Sequence, residues 1–299
     1  MTKGQPEVGN KRFADFDLGG KTFIVTGGAR GLGLALHTAQ STPTRSGRRH
    51  RAELFLNGAA SFNVVYQQQD VLDTKHLRQT IESIADEHEG LHGVTAAAGI
   101  LQITPAIDYT SEDAAKMLAT NFTAVLETAS AAAEMIFKYR CRGSICLIAS
   151  MMSGLIANKG MLSPVYNSSK AALIQLTRNL AMEWSHERDD GSPGIRVNSI
   201  SLGHIRTPMV EQTFAEEPEL EDLWKRENMM GWLAKTEEFK GAALFLLSNA
   251  SSFMTGSNLV MDGGPRRGER VLFRLCGEMM DAQIIRARLV FDDSIGSVS

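Results

Sequence analysis

The stretch that most restricts the fold is Lys21-Thr-Phe-Ile-Val-Thr-Gly27, which runs directly into Gly27-Gly-Ala-Arg-Gly-Leu-Gly33 and then Leu34-Ala-Leu-His37. The first part, rich in β-branched and aromatic residues, reads as a short buried strand. Glycines at the spacing Gly-x-x-x-Gly-x-Gly follow, and helix-forming residues come next. Glycines between a strand and a helix let backbone N–H groups approach a pyrophosphate while the helix N-terminus favours its charge. The same residues also suit a plain tight turn, so the motif alone leaves both readings open.

The rest of the chain continues the alternation. Asn63-Val-Val-Tyr-Gln-Gln-Gln-Asp70 reads as a strand, 72–89 as an amphipathic helix with Leu77, Ile81, Ile84 and Ala85 on its apolar face, and 91–98 as a strand ending before Gly99. Thr110-Ser-Glu-Asp113 resembles a capping box opening a long helix through Asn121 to Tyr139. That helix is apolar on more than one face, which suggests a second subunit against it. Strands at 144–149, 195–201 and 258–261 alternate with helices at 166–186 and 237–248, and 209–230 reads as a helical flap. This rhythm predicts an α/β fold: a single Rossmann-like, doubly wound parallel sheet flanked by helices. The domain spans 19–264, after a tail at 1–18 and before a C-terminal extension at 265–299.

Composition narrows the classes. With 299 residues, 43% hydrophobic and 22% charged, the chain can bury a full core. A net charge of -3 gives no basic field for nucleic acid beyond the local run from Arg45 to Arg51. The longest apolar runs fall short of a membrane span, and the polar N-terminus resembles neither a secretory nor a transit leader. Cys141, Cys146 and Cys276 have no metal-type spacing and point to a reducing compartment, so a cytoplasmic location is expected.

Chemistry concentrates in Ser163-Pro-Val-Tyr-Asn-Ser-Ser-Lys-Ala-Ala172. Tyr166 and Lys170 lie one helical turn apart and share a face. A phenol titrates at about pH 10, and an ammonium beside it favours the phenolate. The pair therefore reads as a proton-transfer device, although the spacing alone equally fits a surface tyrosine stacked on a lysine stem. His88-Glu-Gly-Leu-His92 matches a zinc-binding helix pattern, but Gly90 falls where the helix should end. As a helix C-terminal glycine it would make the two rings diverge, so no metal is expected.

The ordered set Thr26-Gly-x-x-x-Gly-x-Gly33, Asp70-Val71, Ala98-Gly99, Asn121, Ser150, Tyr166-x-x-x-Lys170, Arg196-Val-Asn198 and Gly203-x-x-x-Thr207 resembles the short-chain dehydrogenase/reductase family over about 19–264. Tyr-Asn-Ser-Ser-Lys-Ala-Ala172, Met-Glu-Trp184 and Gly-His-Ile-x-Thr-Pro-Met209 look closest to fungal mannitol, sorbose and arabinitol dehydrogenases. The resemblance implies NAD(P)-dependent interconversion of a ketone and a secondary alcohol, on a polyol, a ketose or a secondary-metabolite ketone. Tyr166 would exchange the proton with the substrate oxygen, Lys170 would lower its pKa and hold the nicotinamide ribose, and Ser150 would bind the substrate oxygen. Ser153, thirteen residues before Tyr166, competes with Ser150, but Ser150 closes the Ile-Cys-Leu-Ile-Ala strand and takes the strand-end position. Asn121 would hold a water linking Lys170 to solvent. Gly27, Gly31, Leu32 and Gly33 would meet the pyrophosphate, Asp70 and Val71 the adenine, with Gly99, Ile205 and Thr207 nearby; Arg30 tilts the cofactor toward NADP over NAD. A homodimer or homotetramer through helices 111–139 and 166–186 is implied.

The pattern breaks between Gly33 and Asp70. If 53–56 is the second strand, only 58–62 remain to reach the third, whereas a parallel crossover needs about a dozen residues. The second strand and its helix therefore look incomplete on the adenosine side. This keeps open a second function, a dinucleotide-binding protein that turns over weakly or not at all.

Overall fold

A computed structural model of the chain describes residues 14–29, 31–38, 53–57, 63–151, 163–207, 210–211, 214–215 and 217–264. Their elements follow the expected alternation. Strand β1 is Thr22–Thr26, helix α1 Gly31–Thr38, β2 Glu53–Asn57, β3 Asn63–Gln67, α2 Thr74–Glu87 and β4 Gly93–Ala96. Helix α3 (Ser111–Leu118) passes through a π-helical turn, Ala119–Thr123, into α4 (Ala124–Lys138). Then come β5 (Ser144–Ile148), α5 (Pro164–Trp184), β6 (Arg196–Leu202), β7 (Ile205–Arg206), α6 (Glu219–Glu227), β8 (Ala234–Lys235), α7 (Lys240–Leu247) and β9 (Asn258–Met261).

One sheet holds seven strands in the order β3-β2-β1-β4-β5-β6-β9. Five of them, β1, β4, β5, β6 and β9, are mutually parallel. Their side chains alternate between two cores, the signature of a sheet covered on both faces. Ile24, Val94, Ile145, Leu147 and Val197 pack with Leu77, Ile81, Ile136 and Leu173 of α2, α4 and α5. Phe23, Cys146, Ile148, Ile200 and Leu202 pack with Leu36, Ala243 and Leu246 of α1 and α7.

The expected gap on the adenosine side takes a definite form. Strand β2 runs antiparallel to both neighbours, pairing Val25 with Leu54 on one side and Asn57 with Asn63 on the other. The five residues between β2 and β3 are too few for a crossover but enough for a hairpin. Reversing β2 removes the need for the missing helix, and β3 regains the direction of β1.

The ends of α2 and α3 are built locally. Asp73 caps α2 by accepting from the His76 N–H at 3.1 Å, and Thr110 caps α3 by accepting from the Asp113 N–H at 3.1 Å. At the other end of α2, Gly90 N donates to Ala85 O at 2.9 Å and Glu89 N to Asp86 O at 3.4 Å, a Schellman closure. The left-handed residue of that closure is Glu89 (φ 49), not the expected Gly90.

The apolar faces of α4 are largely met within the chain. Ala129, Ala132 and Ile136 are buried in the core shared with α2, and Arg78 of α2 bridges Glu127 and Glu134 at 2.8 Å each. Burial on more than one face of this helix thus does not itself require a second subunit.

Candidate active site

Residues singled out in the sequence lie just past the carboxyl ends of strands: Gly27 after β1, Asp70 and Val71 after β3, Gly99 after β4, Ser150 after β5, Ile205 and Thr207 after β6. One edge of one sheet therefore gathers them. The strand order reverses direction between β1 and β4, which opens a crevice at that edge. The Gly-rich turn sits against it: a Cβ on Gly27, whose φ is +71, would meet the Ala98 backbone at 2.9 Å.

Helix α5 supplies Tyr166 and Lys170. The Tyr166 side chain hydrogen-bonds that of Ser150. Lys170 reaches back along the same strand and donates from Nζ to Ile148 O at 2.8 Å. Burial pushes the phenol of Tyr166 above its ordinary value, with the Ser150 bond pulling the other way, and drives the Lys170 ammonium down to about 8. In the chain by itself, desolvation is the largest influence on both groups; the lowering of the phenol expected from the sequence also needs the charged dinucleotide beside the pair.

Asn121 stands in the π turn, where Ala124 N bonds to Ala119 O instead of the α-helical acceptor. It is fully buried. Its Oδ1 accepts from Ile100 N at 2.9 Å, and its Nδ2 donates to Ile100 O at 2.9 Å, with Met117 Sδ at 3.0 Å and Ser169 Oγ at 3.2 Å. Both amide protons are thus engaged, and one Oδ1 lone pair remains. A Cβ on Gly99 would lie 3.2 Å from that oxygen and 3.5 Å from Lys170 Nζ, so only glycine keeps the space between them clear.

Sequence reasoning missed Ser169 and the backbone of Ile100 and Ile148. Ser169 accepts from Asn121 and donates to Tyr166 O at 2.7 Å, which links the π turn to the tyrosine's own helical turn. It lies inside the motif that flagged Tyr166, but backbone carbonyl acceptors leave no signature in sequence. Past β6, His204 stacks on Trp224 of α6 with ring centroids 4.0 Å apart, and burial pushes its imidazole down to about 4. Arg206 ties the same flap down through Glu211 and Glu221. Among the described residues the helical flap expected over 209–230 consists of α6 and short helical pieces at 210–211 and 214–215. Arg30, Met152, Ser153 and Leu155 lie outside the described residues.

A family model described as enoyl-(acyl carrier protein) reductase matches residues 34–265. A short-chain dehydrogenase/reductase of Aspergillus versicolor, notP', is 34% identical over 88% of this chain and 92% of its own length. The chain belongs to the short-chain dehydrogenase/reductase family. The ribulose-forming D-arabinitol 2-dehydrogenase of Candida tropicalis is 30% identical, covering 83% of this chain and 93% of that one. Among solved structures, the NADPH-dependent 3-quinuclidinone reductase of Rhodotorula rubra superposes with a TM-score of 0.68 at 28% identity, over 88% of this chain and 97% of that one.

Membership makes the chain an NAD(P)-dependent oxidoreductase acting on CH–OH groups. The turn after β1 fits such a dinucleotide. A Cβ on Gly33 would come within 2.4 Å of Gly27 O, so the turn closes only with glycine there. Gly31, at φ +58, faces open space at the start of α1, where a phosphate can approach backbone N–H groups.

The zinc-like pair does not converge. His88 caps the end of α2, while Nδ1 of His92 accepts from Thr22 N at 3.1 Å. Among the described residues no group of three His, Cys, Asp or Glu side chains could hold a metal ion, and no helix is long and apolar enough to cross a membrane.

Proposed function

We propose that the chain reduces a small ketone to a secondary alcohol, or runs the reverse reaction, with a polyol or ketose as substrate and NADP as the preferred cofactor. The observation that supports this most is the Ser150–Tyr166 hydrogen bond beside the buried Lys170, at the crevice edge of the sheet. Ser150 and Tyr166 converge on the place a substrate oxygen would occupy, Tyr166 exchanging the proton and Ser150 stabilising the developing charge. The nicotinamide, when bound, supplies or accepts the hydride. Lys170 holds the ribose and, with water excluded, favours the phenolate. Asn121 positions the loop after β4 through Ile100 and offers its remaining Oδ1 lone pair toward Gly99 and Lys170.

The substrate class rests on relatives named as polyol and sugar dehydrogenases, including the D-arabinitol and galactitol 2-dehydrogenases. NADP is favoured by Arg30 in the Gly-rich turn and by the NADPH-dependent Rhodotorula relative. Self-association through α3–α4 and α5 is proposed on Met182, which is 69% exposed on α5. A cytoplasmic setting is proposed on the free thiols of Cys141 and Cys146.

Tyr166→Phe should lower kcat by about 10²–10⁴-fold with the fold intact; a full rate in a folded variant would defeat the mechanism. Ser150→Ala should cost far more turnover than Ser153→Ala, and the opposite ranking would move the role to Ser153. Measuring kcat/KM with NADPH and NADH should favour NADPH, and Arg30→Ala should narrow the ratio.

A further inference from the structure

At the opposite edge of the sheet, where β1, β4, β5 and β6 begin, lies a cavity of about 400 Å³ that the oxidoreductase chemistry does not use. Its volume falls in the range of small-molecule sites. Gly143 lines it, and the rise of a strand puts Gly143 on the order of 20 Å from Ser150.

Its charge is lopsided. Lys21, Arg142 and Arg196 line it, with Glu187 as the one acidic residue of the lining. Among the described residues none of these three cations makes an ion pair. Arg196 is anchored by neutral oxygens only: Nη1 donates to Ser251 Oγ at 2.7 Å and to Met254 O at 3.4 Å, Nη2 to Leu246 O and Ser248 O at 2.9 Å each. Burial and the nearby Arg142 push its guanidinium down to about 10. His92 also lines the cavity, and because its Nδ1 accepts from Thr22 N, the neutral ring carries its proton on Nε2 as a donor. Burial, then Lys21, hold that ring below its ordinary pKa, so it adds a donor and no charge.

We propose that this cavity is a binding site for a phosphate monoester, separate from the catalytic crevice. Three cations against one carboxylate leave two positive charges, which a phosphate monoester matches near neutral pH, where it carries about -1.5 to -2. Lys21 and the planar fork of Arg142 meet the phosphate oxygens. Arg196, its donors committed to carbonyls, contributes field instead of contacts. The remaining volume takes a body the size of a sugar.

The test is calorimetric titration of the full chain with glycerol 3-phosphate and with inorganic phosphate, in the presence of saturating NADP. Saturable binding at one site per chain is expected, with a rise in Tm as the ligand favours the folded state. Lys21→Gln combined with Arg142→Gln should weaken the affinity at least tenfold while leaving kcat unchanged. Tyr166→Phe should bind the phosphate as the unmodified chain does. Absence of saturable binding, displacement by NADP, or equal affinity in the double variant would each overturn the proposal.

Discussion

The two halves of the sheet solve the same problem differently. In the parallel half β1, β4, β5 and β6 are covered on both faces, their side chains shared between two cores, and each leaves a candidate site residue past its carboxyl end. In the β2–β3 half the chain turns back on itself within five residues, and Val65 and Tyr66 are 53% and 51% exposed. Parallel strands need long helical returns, and those returns bury both faces. A hairpin needs no return, and Val65 and Tyr66, consecutive residues of β3 on opposite faces, are both open to solvent. The parallel half therefore holds the proposed proton-transfer residues, while in the proposed function the hairpin half has only to present an edge to the adenosine end of a dinucleotide.

The contrast breaks most sharply under truncation. Ile145 of β5 is wholly buried, and Ile145→Ala should cost about 2–5 kcal/mol, transfer and cavity costs together. Val65→Ala on β3 should cost no more than about 0.5 kcal/mol, the ordinary figure for an exposed site. Urea unfolding of both variants checks the ratio. Comparable losses would mean that the hairpin is covered by something the described residues do not include.

Next in size is the effect of the charge buried in the parallel half. Lys170 titrates at about 8 in the folded chain against an ordinary 10.5. Between those values the unfolded chain binds more protons, so the stability contributed by this group rises with pH; the penalty is fully present below about 8 and relieved above about 10.5. Lys170→Met removes the titration. The stability of the unmodified chain relative to this variant should therefore increase by roughly 3 kcal/mol across that window. Unfolding curves for both proteins at the two ends of the window cancel every other ionising group. A flat difference would mean that the ammonium is solvated.

What was legible follows the same division. The gathering of Tyr166, Lys170 and Ser150 could be read because it depends on spacing and strand ends, which a sequence displays. The five-residue link between β2 and β3 showed that a parallel crossover was impossible, but hydrophobic pattern has no direction, so it could not show that β2 simply reverses. The π turn at Asn121 was invisible for another reason. Nothing local demands the extra residue; it goes with Asn121 clamping both backbone groups of Ile100, a contact 21 residues away. The rise of the Tyr166 phenol in the chain by itself was not legible either, because burial is a property of the packed site and not of the Tyr-x-x-x-Lys spacing.

The smallest expected effect tests the helix end where glycine and left-handed residue were confused. Glu89 holds φ 49 on an exposed site, a conformation that costs an L residue roughly 1–2 kcal/mol. Glu89→Gly should relieve that strain, partly offset by the greater freedom of the unfolded chain, for a net gain of about 0.5–1 kcal/mol. Gly90→Ala should do the reverse, because its Cβ would come to 3.2 Å from Cys141 Sγ and 3.4 Å from the His92 ring. A rise in Tm for the first and a fall for the second would fix the left-handed position at Glu89. If Glu89→Gly instead lost stability, the acid would be making a favourable interaction at the C-terminal end of α2, and the closure of that helix would have to be attributed to its side chain, not to its backbone.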